Sequence, residues 1–374
     1  MWKKFRDTID WVAFCSTLPI LSAGLLTMDA FTGDNYFFYR QLLWIVVAVI
    51  VFFVASFVDW RFLKNSSTLV AFYLASLTLL AALALLGSTV KGAQSRFKFG
   101  LFGLQPVEFM KLLVILMLAK YFSRRHVEIA NIKHVLISGL YAFVPFILVL
   151  LQPDFGSGII IALIWLGMIM VSGVSRKQLL ILFCAGALAF GGLWSFYLKP
   201  YQKARVMTFL NPLADVQGAG YNAFQSQVAV GSGQVVGKGV GYGTQSRLSF
   251  LPEYQTDFIF AAFAEEWGFV GVMLLFIFFC VIIYRILGIA MRGASNFEML
   301  FAMGFAIFLM GHFAINVGMN IGLLPVTGIP LPFMSYGGSH LIAEFLGLGM
   351  LSGMRRYGRA GHRDDMKNEF VGVV

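Results

Sequence analysis

The sequence predicts an all-α polytopic membrane protein with about ten transmembrane helices and one long structured extracytoplasmic loop. Hydrophobic residues make up 59% of the 374 residues and charged residues only 12%, whereas a soluble domain carries about 25% charged residues. Apolar runs of spanning length recur along the whole chain. Such runs must be helical, because lipid satisfies no free backbone polar group. The pattern excludes a soluble enzyme, a disordered chain and a β-barrel, whose alternation would interrupt the runs.

The apolar runs define the predicted spans of a single domain over residues 1–374. The spans cover residues 10–28, 41–58, 66–87, 105–122, 134–151, 155–173, 178–198, 258–284, 299–319 and 331–353. The basic N-terminus leads straight into the first run and no small-residue cleavage site stands out, so we expect an uncleaved span. The three cysteines lie within apolar runs, which argues against a disulfide framework or a metal site. The segment 199–257 is too long for a simple turn and predicts an outer loop with short interfacial helices.

The distribution of Lys and Arg predicts the orientation. With the N-terminus in the cytoplasm, most of the 28 basic residues fall in cytoplasmic segments, and an even number of spans returns the C-terminus to the same side. The net charge of +10 therefore reflects membrane orientation and not nucleic-acid binding. The outer segments still hold the basic residues Lys91, Arg96, Lys98, Lys199, Lys203, Arg205, Lys238 and Arg247. These are either ordinary solvated charges or part of an outer site for an anionic substrate such as a lipid diphosphate.

Several charged residues fall within predicted spans, where each costs about 2.5–3.5 kcal/mol on insertion scales. They are Glu108, Lys111, Glu265, Glu266 and Glu344. Glu108 and Lys111 are three positions apart and share a helix face. They form either a buried ion pair that fixes helix packing or one wall of a polar cavity. We expect Glu265 and Glu266 to face the protein interior.

Asp257 stands at the outer start of the predicted eighth span. An aspartate at this position is suited to cap the helix N-terminus. The alternative is a general base beside the outer loop. The position alone leaves both interpretations open.

Two further segments depart from simple spans. The glycine-rich run 231–243 resembles a phosphate-binding loop but lacks the Walker A pattern, since Gly239 follows Lys238 where Ser or Thr is required. We expect it to pack against protein or lipid head groups. The run 316–339 is broken by Pro and Gly, which at membrane depth requires burial in protein or a water-lined cavity. His340 and Glu344 are four apart and are expected to pair on one helix face.

Several motifs resemble the SEDS family (shape, elongation, division and sporulation) over nearly the whole chain. The motifs are KGAQSRF (91–97), QPVEFMK (105–111), QPDFGSG (152–158), RVMTFLNPLADVQGAGYNAFQSQVAVGSG (205–233), GTQSRLSFLPEYQTDFIFAAFAEEWG (243–268) and GIPLPFMSYGGS (328–339). GAGY at 218–221 and the short cytoplasmic ends favour the cell-elongation branch over the division branch, while the sporulation branch stays open. The sequence departs from the family pattern at Val107, Gln234, His340 and Glu344.

The resemblance implies a peptidoglycan glycosyltransferase that polymerises lipid II into β-1,4 glycan strands at the outer face of the bacterial cytoplasmic membrane. Asp257 then corresponds to the family's essential acidic residue, and Glu108 and Lys111 to its polar pair in the fourth span. The implied partners are a class B penicillin-binding protein and the elongation machinery. The predicted general base is Asp257, and the predicted substrate-binding residues are Glu108, Lys111, Lys91, Arg96, Lys98, Arg205 and Ser335. No protein metal site is predicted, while a divalent cation (Mg²⁺ or Mn²⁺) bound with the diphosphate stays open.

Two other functions fit the same features. A lipid II flippase would also have spans, interior charges and a broken helix, although the sequence shows no clear inverted repeat. A scaffold that only recruits a penicillin-binding protein would need surface and no general base.

Overall fold

The helices follow the apolar runs closely. The computed structural model describes residues 9–29, 36–86, 88–90, 93–99, 102–124, 132–196, 199–211, 220–248, 250–293 and 295–369. The helices in chain order are α1 (Trp11–Asp29), α2 (Tyr36–Phe57), α3 (Ser66–Leu86), α4 (Pro106–Ser123), α5 (Ile132–Leu151), α6 (Phe155–Ser172), α7 (Arg176–Phe196), α8 (Pro200–Leu210), α9 (Tyr221–Ser232), α10 (Thr244–Arg247), α11 (Ile259–Met291), α12 (Asn296–Asn320) and α13 (Gly338–Glu369). A 3-10 helix, Trp60–Lys64, joins α2 to α3.

Each predicted span coincides with a helix, and the prediction of an all-α membrane fold is confirmed. The last span is shifted: residues 331–337 are not helical and α13 begins only at Gly338, because the prolines before it break the helix. Among the described helices, eight are long and apolar enough to cross a membrane, and α4 and α13 are not in that set. α4 carries three charged residues in 18 positions. The count of ten spans therefore stays a prediction.

The polar helices lie in the interior of the bundle, which explains how they tolerate charge. α4 is buried over most of its length, packed against α12, α3 and α6, and α12 packs in turn against α11 and α6. α13 packs against α2 and α4. By contrast, Gln178 is the one buried residue of the described α7, so this apolar helix faces outward.

α11 is interrupted where the glycine-rich segment of the outer loop inserts into it. Gly268 has a φ of 61° and breaks the helix. The amides of Phe269 and Val270 donate to the carbonyls of Gln234 and Val235 (2.9 and 3.0 Å) instead of to carbonyls one turn back. The freed carbonyls of residues 265 and 266 accept from the amides of residues 238 and 239, both at 3.0 Å. The loop backbone thus replaces two hydrogen bonds of the helix at the kink.

The inserted segment is also held by side chains. The buried Glu265 Oε1 accepts from Lys238 Nζ (2.7 Å) and from the Thr244 amide (2.9 Å). Glu266 Oε1 accepts from the Gly241 amide at 2.7 Å. Both glutamates face the protein interior, as expected, and the glycine-rich run packs against protein. Its glycines serve this packing, since a Cβ on Gly237 would collide with a backbone carbonyl of α11.

A short antiparallel sheet precedes α4 and was not predicted. Its strands are β1 (Ser88–Val90), β2 (Ala93–Phe99) and β3 (Phe102–Leu104), in the order β1-β2-β3. The Gly103 carbonyl of β3 accepts a hydrogen bond from Ser339 Oγ at the start of α13 (3.1 Å). This bond joins the sheet to the helical bundle.

Candidate active site

The central helices enclose a polar cavity of about 460 Å³ at one end of the bundle. Its walls come from α2, α4, α6, α12, α13 and from the two irregular segments before α11 and α13. The lining residues are Tyr36, Phe37, Arg40, Trp44, Gly103, Gln105, Glu108, Lys111, Asp154, Ser157, Thr256, Asp257, His312, Gly328, Ile329, Pro330, Tyr336, Gly337, Gly338, Ser339 and His340. The predicted residues Asp257, Glu108 and Lys111 therefore share one site.

Asp257 lies in an irregular segment fixed from two sides. Its carbonyl accepts from Asn316 Nδ2 (3.0 Å) and Asn320 Nδ2 (3.2 Å), both buried on α12. The capping alternative does not hold, because α11 begins at Ile259 and its N-cap is Phe258. The carboxylate instead faces the cavity, where Gly328 allows close approach: a Cβ there would lie 3.3 Å from Asp257 Oδ2.

The irregular segment before α13 forms another wall of the cavity. Hydrogen bonds join this segment to the one that contains Asp257. Asn316 Nδ2 also donates to the Ile329 carbonyl at 2.7 Å. Ser335 Oγ donates to the Thr256 carbonyl (2.7 Å) and accepts from the Leu331 amide (2.8 Å). Both hydrogen bonds of the Ser335 hydroxyl are made within the protein, so Ser335 stabilises this wall. Ser335 is not among the cavity-lining residues.

Below Asp257, the charged residues of α4, α12 and α13 form one buried network. Lys111 Nζ lies 2.8 Å from Glu108 Oε1 and 3.2 Å from His312 Nε2. His340 Nδ1 lies 2.8 Å from Glu108 Oε2, and His340 Nε2 lies 2.8 Å from Glu344 Oε1. The expected pairing of His340 with Glu344 is confirmed. The same ring bridges Glu344 to Glu108, which the sequence did not indicate.

The hydrogen-bond pattern fixes the protons of this network. His312 Nδ1 faces the Phe308 carbonyl at 3.0 Å, so it carries the proton and Nε2 accepts from the Lys111 ammonium. The His340 ring lies between two carboxylates: its Nδ1 forms a hydrogen bond with Glu108 Oε2, and its Nε2 makes an ion-pair contact with Glu344 Oε1 that lacks hydrogen-bond geometry. With a doubly protonated His340, the charges of Glu108, Glu344, Lys111 and His340 cancel. This balance explains how four ionised groups tolerate burial.

The remaining polar lining residues were not predicted as site residues. Asp154 caps α6, accepting from the Ser157 amide (3.0 Å) and hydroxyl (2.9 Å), and Gln105 Nε2 approaches its Oδ2 at 3.4 Å. Arg40 enters from α2, with its guanidinium 4.8 Å from the centre of the Tyr36 ring. One available signal was missed: His312, Asn316 and Asn320 recur every fourth residue and mark a polar face on an otherwise apolar helix.

The predicted outer basic residues are less well placed for contact with the cavity. Arg205 on α8 is exposed and its Nη1 donates to the Val326 carbonyl at 3.4 Å, beside the broken segment but outside the lining set. Arg96 and Lys98 lie on β2, with side chains outside the described part of the structure. Lys91 lies outside the described residues.

Two sets of residues offer ligand atoms for a cation. Ligand atoms of Glu108, His312 and His340 lie within 4.8 Å of one another, but two imidazoles suit Zn²⁺ better than Mg²⁺ or Mn²⁺. The Lys111 ammonium already lies between Glu108 and His312, so this trio does not fit a resident metal. The carboxylates of Asp154 and Asp257 line the cavity and offer the oxygen donors that Mg²⁺ prefers.

Comparison with known proteins shows which family the chain belongs to. The FtsW/RodA/SpoVE family model, described as "Cell cycle protein", matches residues 6–360. The chain belongs to this family. Its SEDS resemblance is thereby confirmed, and the multi-pass membrane character is shared with the family.

Individual relatives extend over most of the chain. Peptidoglycan glycosyltransferase MrdB of Escherichia coli K12 is 41% identical over 279 residues, which is 75% of each chain. Stage V sporulation protein E of Bacillus subtilis strain 168 is 35% identical over 347 residues, 91% of this chain and 93% of that protein. The family match therefore includes the segments that build the cavity.

Solved structures share the fold. A chain of a peptidoglycan synthase complex that coordinates polymerization and crosslinking superposes with a TM-score of 0.80 at 30% identity, covering 94% of this chain and 98% of that chain. The rod shape determining protein RodA of Thermus thermophilus gives a TM-score of 0.70 at 28% identity, covering 93% and 97%.

Proposed function

We propose that this SEDS-family chain is a peptidoglycan glycosyltransferase that polymerises lipid II into β-1,4 glycan strands during cell elongation. The observation that carries the proposal is the placement of Asp257. Its backbone is fixed by Asn316 and Asn320, and its carboxylate opens into a cavity that also holds the Glu108–Lys111 pair. The relatives named peptidoglycan glycosyltransferase support the reaction class.

The chemistry is a single displacement with Asp257 as general base. The 4-hydroxyl of the acceptor sugar transfers its proton to an Asp257 carboxylate oxygen as its oxygen attacks C1 of the donor sugar. The bond from C1 to the diphosphate oxygen breaks, and undecaprenyl diphosphate leaves with the bonding electrons. Attack from the opposite face converts the α-linked donor to a β-1,4 bond. General base catalysis of this kind contributes about 10²–10⁴-fold.

The diphosphate needs positive charge as it leaves. Arg40 lines the cavity on α2 and Lys111 lines it on α4, and these two side chains are proposed to stabilise the leaving diphosphate. Arg205, Arg96, Lys98 and Lys91 belong to the outer segments and are proposed to guide the lipid diphosphate toward the cavity. A divalent cation bound by Asp154 or by the diphosphate would add to this charge, and a chelator tests its contribution.

The proposal includes an orientation and a partner. The cavity faces the outer side of the cytoplasmic membrane, and both termini lie in the cytoplasm, as the distribution of basic residues supports. The partner is a class B penicillin-binding protein, which crosslinks the strands. The structural similarity to a chain of a peptidoglycan synthase complex supports this pairing.

The test is polymerisation of purified lipid II by detergent-solubilised protein with its cognate penicillin-binding protein. We expect Asp257→Asn to fold and insert normally and to lose glycan synthesis by at least a hundredfold. Asp59→Asn is the matched control, because Asp59 lies between α2 and α3 and pairs with the exposed Arg61 at 2.7 Å. Wild-type turnover by Asp257→Asn would remove this residue from the mechanism.

The same preparation separates the other functions. A flippase would move lipid II across liposomes without forming polymer, and a pure scaffold would support growth with Asp257→Asn in place of the wild type.

A further inference from the structure

A second cavity, of about 500 Å³, lies at the far end of α11 from Asp257. Asp257 precedes the first residue of this helix, whereas Arg285 and Arg292 belong to its last turns. α11 is kinked at Gly268 but is long enough to cross a membrane, so the two cavities lie at opposite ends of a spanning helix. The second cavity plays no part in the proposed reaction.

The polar side of this cavity is a preorganised cluster of guanidinium groups. Asp10, buried just before α1, accepts from Arg285 Nε (3.0 Å) and Nη2 (2.8 Å). The same carboxylate accepts from Arg355 Nη1 of α13 at 3.2 Å. One carboxylate therefore holds two arginines from different helices in place. Both arginines remain partly exposed, with side-chain exposures of 31% and 22%.

The cluster carries more positive charge than its carboxylates cancel. Arg292 also lines the cavity and is exposed, and no described residue accepts a hydrogen bond from its guanidinium. The other lining carboxylate, Glu298, pairs with Lys64 at 3.2 Å. Three guanidinium groups therefore line the cavity against two carboxylates, one of which is engaged by Lys64. An anion with one or two negative charges would balance the site.

The other walls are apolar. Leu287, Ile289, Leu351 and Met354 line the cavity. At its rim, Tyr284 and Met291 are 73% and 87% exposed on the outside of a membrane helix. A small soluble anion would leave these walls in contact with water, whereas a lipid would cover them with acyl chain.

We propose that this cavity binds an anionic glycerophospholipid, with the phosphate between Arg292, Arg285 and Arg355 and an acyl chain along the apolar wall. Basic pockets between transmembrane helices bind such head groups in this way. Because Asp10 precedes α1, Arg285 lies near the end of α11 and Arg355 lies in the middle of α13, the bound lipid braces these helices against one another. The inference is independent of the proposed glycosyltransferase activity.

The test measures lipid binding by the purified full chain in detergent. Short-chain phosphatidylglycerol, phosphatidylcholine of the same chain length, and inorganic phosphate are titrated while the thermal unfolding midpoint is followed. We expect phosphatidylglycerol to raise the midpoint saturably and the other two to leave it unchanged. Arg292→Gln should weaken the apparent affinity for phosphatidylglycerol about tenfold, as expected for the loss of one charge-assisted hydrogen bond.

Two variants make the result specific. Arg292→Lys keeps the charge but not the planar fork and should bind between wild type and Arg292→Gln. Arg176→Gln removes an exposed arginine from the start of α7, outside the cavity, and should bind as wild type does. Arg292 is exposed, so the variant is expected to unfold at the wild-type midpoint without lipid. Equal titrations for wild type and Arg292→Gln would overturn the proposal. So would equal effects of the two lipids, or an effect of phosphate alone.

Discussion

Replacement of His340 by alanine tests whether charge balance holds the buried network together. His340 lies between Glu108 and Glu344, with each of its ring nitrogens 2.8 Å from a carboxylate oxygen. Without the ring, Glu344 keeps only the Phe333 amide, at 3.0 Å from its Oε2, and remains fully buried. Loss of one partner from a buried ion pair costs about 3–5 kcal/mol.

The reverse substitution should be milder. In Glu344→Leu, the His340 ring keeps Glu108 and releases its second proton, so no charge is left unpaired. The Phe333 amide loses its acceptor, and leaving this buried amide without a partner costs about 1–3 kcal/mol of stability. The double variant His340→Ala/Glu344→Leu also has no unpaired charge. It should therefore be more stable than His340→Ala, although it carries one more substitution.

The measurement is the thermal unfolding midpoint of each variant in detergent, at one pH and one heating rate. The heating rate is kept constant because a membrane protein of this size unfolds irreversibly, and its midpoint then depends on that rate. The expected order is wild type, then Glu344→Leu, then the double variant, then His340→Ala. A double variant as unstable as the sum of the two single losses would refute the argument, since it would show no coupling between the sites.

Three further substitutions probe the rest of the site. Gly328→Ala places a methyl group against Asp257, the proposed general base, at a φ of 76° and should reduce polymerisation by at least tenfold. Its control, Gly173→Ala, has a φ of 94° in open space and should cost only about 1–2 kcal/mol of stability. Glu265→Gln removes the charge that holds the inserted loop and should lower the unfolding midpoint by an amount equivalent to about 3–5 kcal/mol. Asn316→Ala removes the donor to the Ile329 carbonyl and one of the two donors to the Asp257 carbonyl, and it should slow turnover in the lipid II assay while partner binding in a pull-down stays at the wild-type level.

The helices could be predicted from the sequence because apolar runs of spanning length allow few other structures. The contacts of Lys111 show which interactions the sequence predicts and which it does not. Its pairing with Glu108, three residues away, follows from helix geometry. Its contact with His312 joins positions 201 residues apart, and no local pattern reports such a distance.

The same limit explains the other omissions. Arg40 reaches the cavity only because α2 packs against α13, and Asp154 only because α6 packs against α4. The start of α13 was placed too early because the composition of 331–337 is apolar, while its backbone is not helical. The insertion of the glycine-rich segment into α11 depends on Gly268, a residue that is common inside membrane helices and gives no warning of a break.

The insertion means that the glycine-rich segment of this loop is not a lid. Its backbone completes the hydrogen bonding of α11, so the loop cannot lift away without exposing four backbone groups of that helix to a medium that cannot satisfy them. Residues 233–241 and the outer half of α11 must move as one body. A displacement of the exposed Val235 and Val236 would therefore also move the segment that contains Asp257.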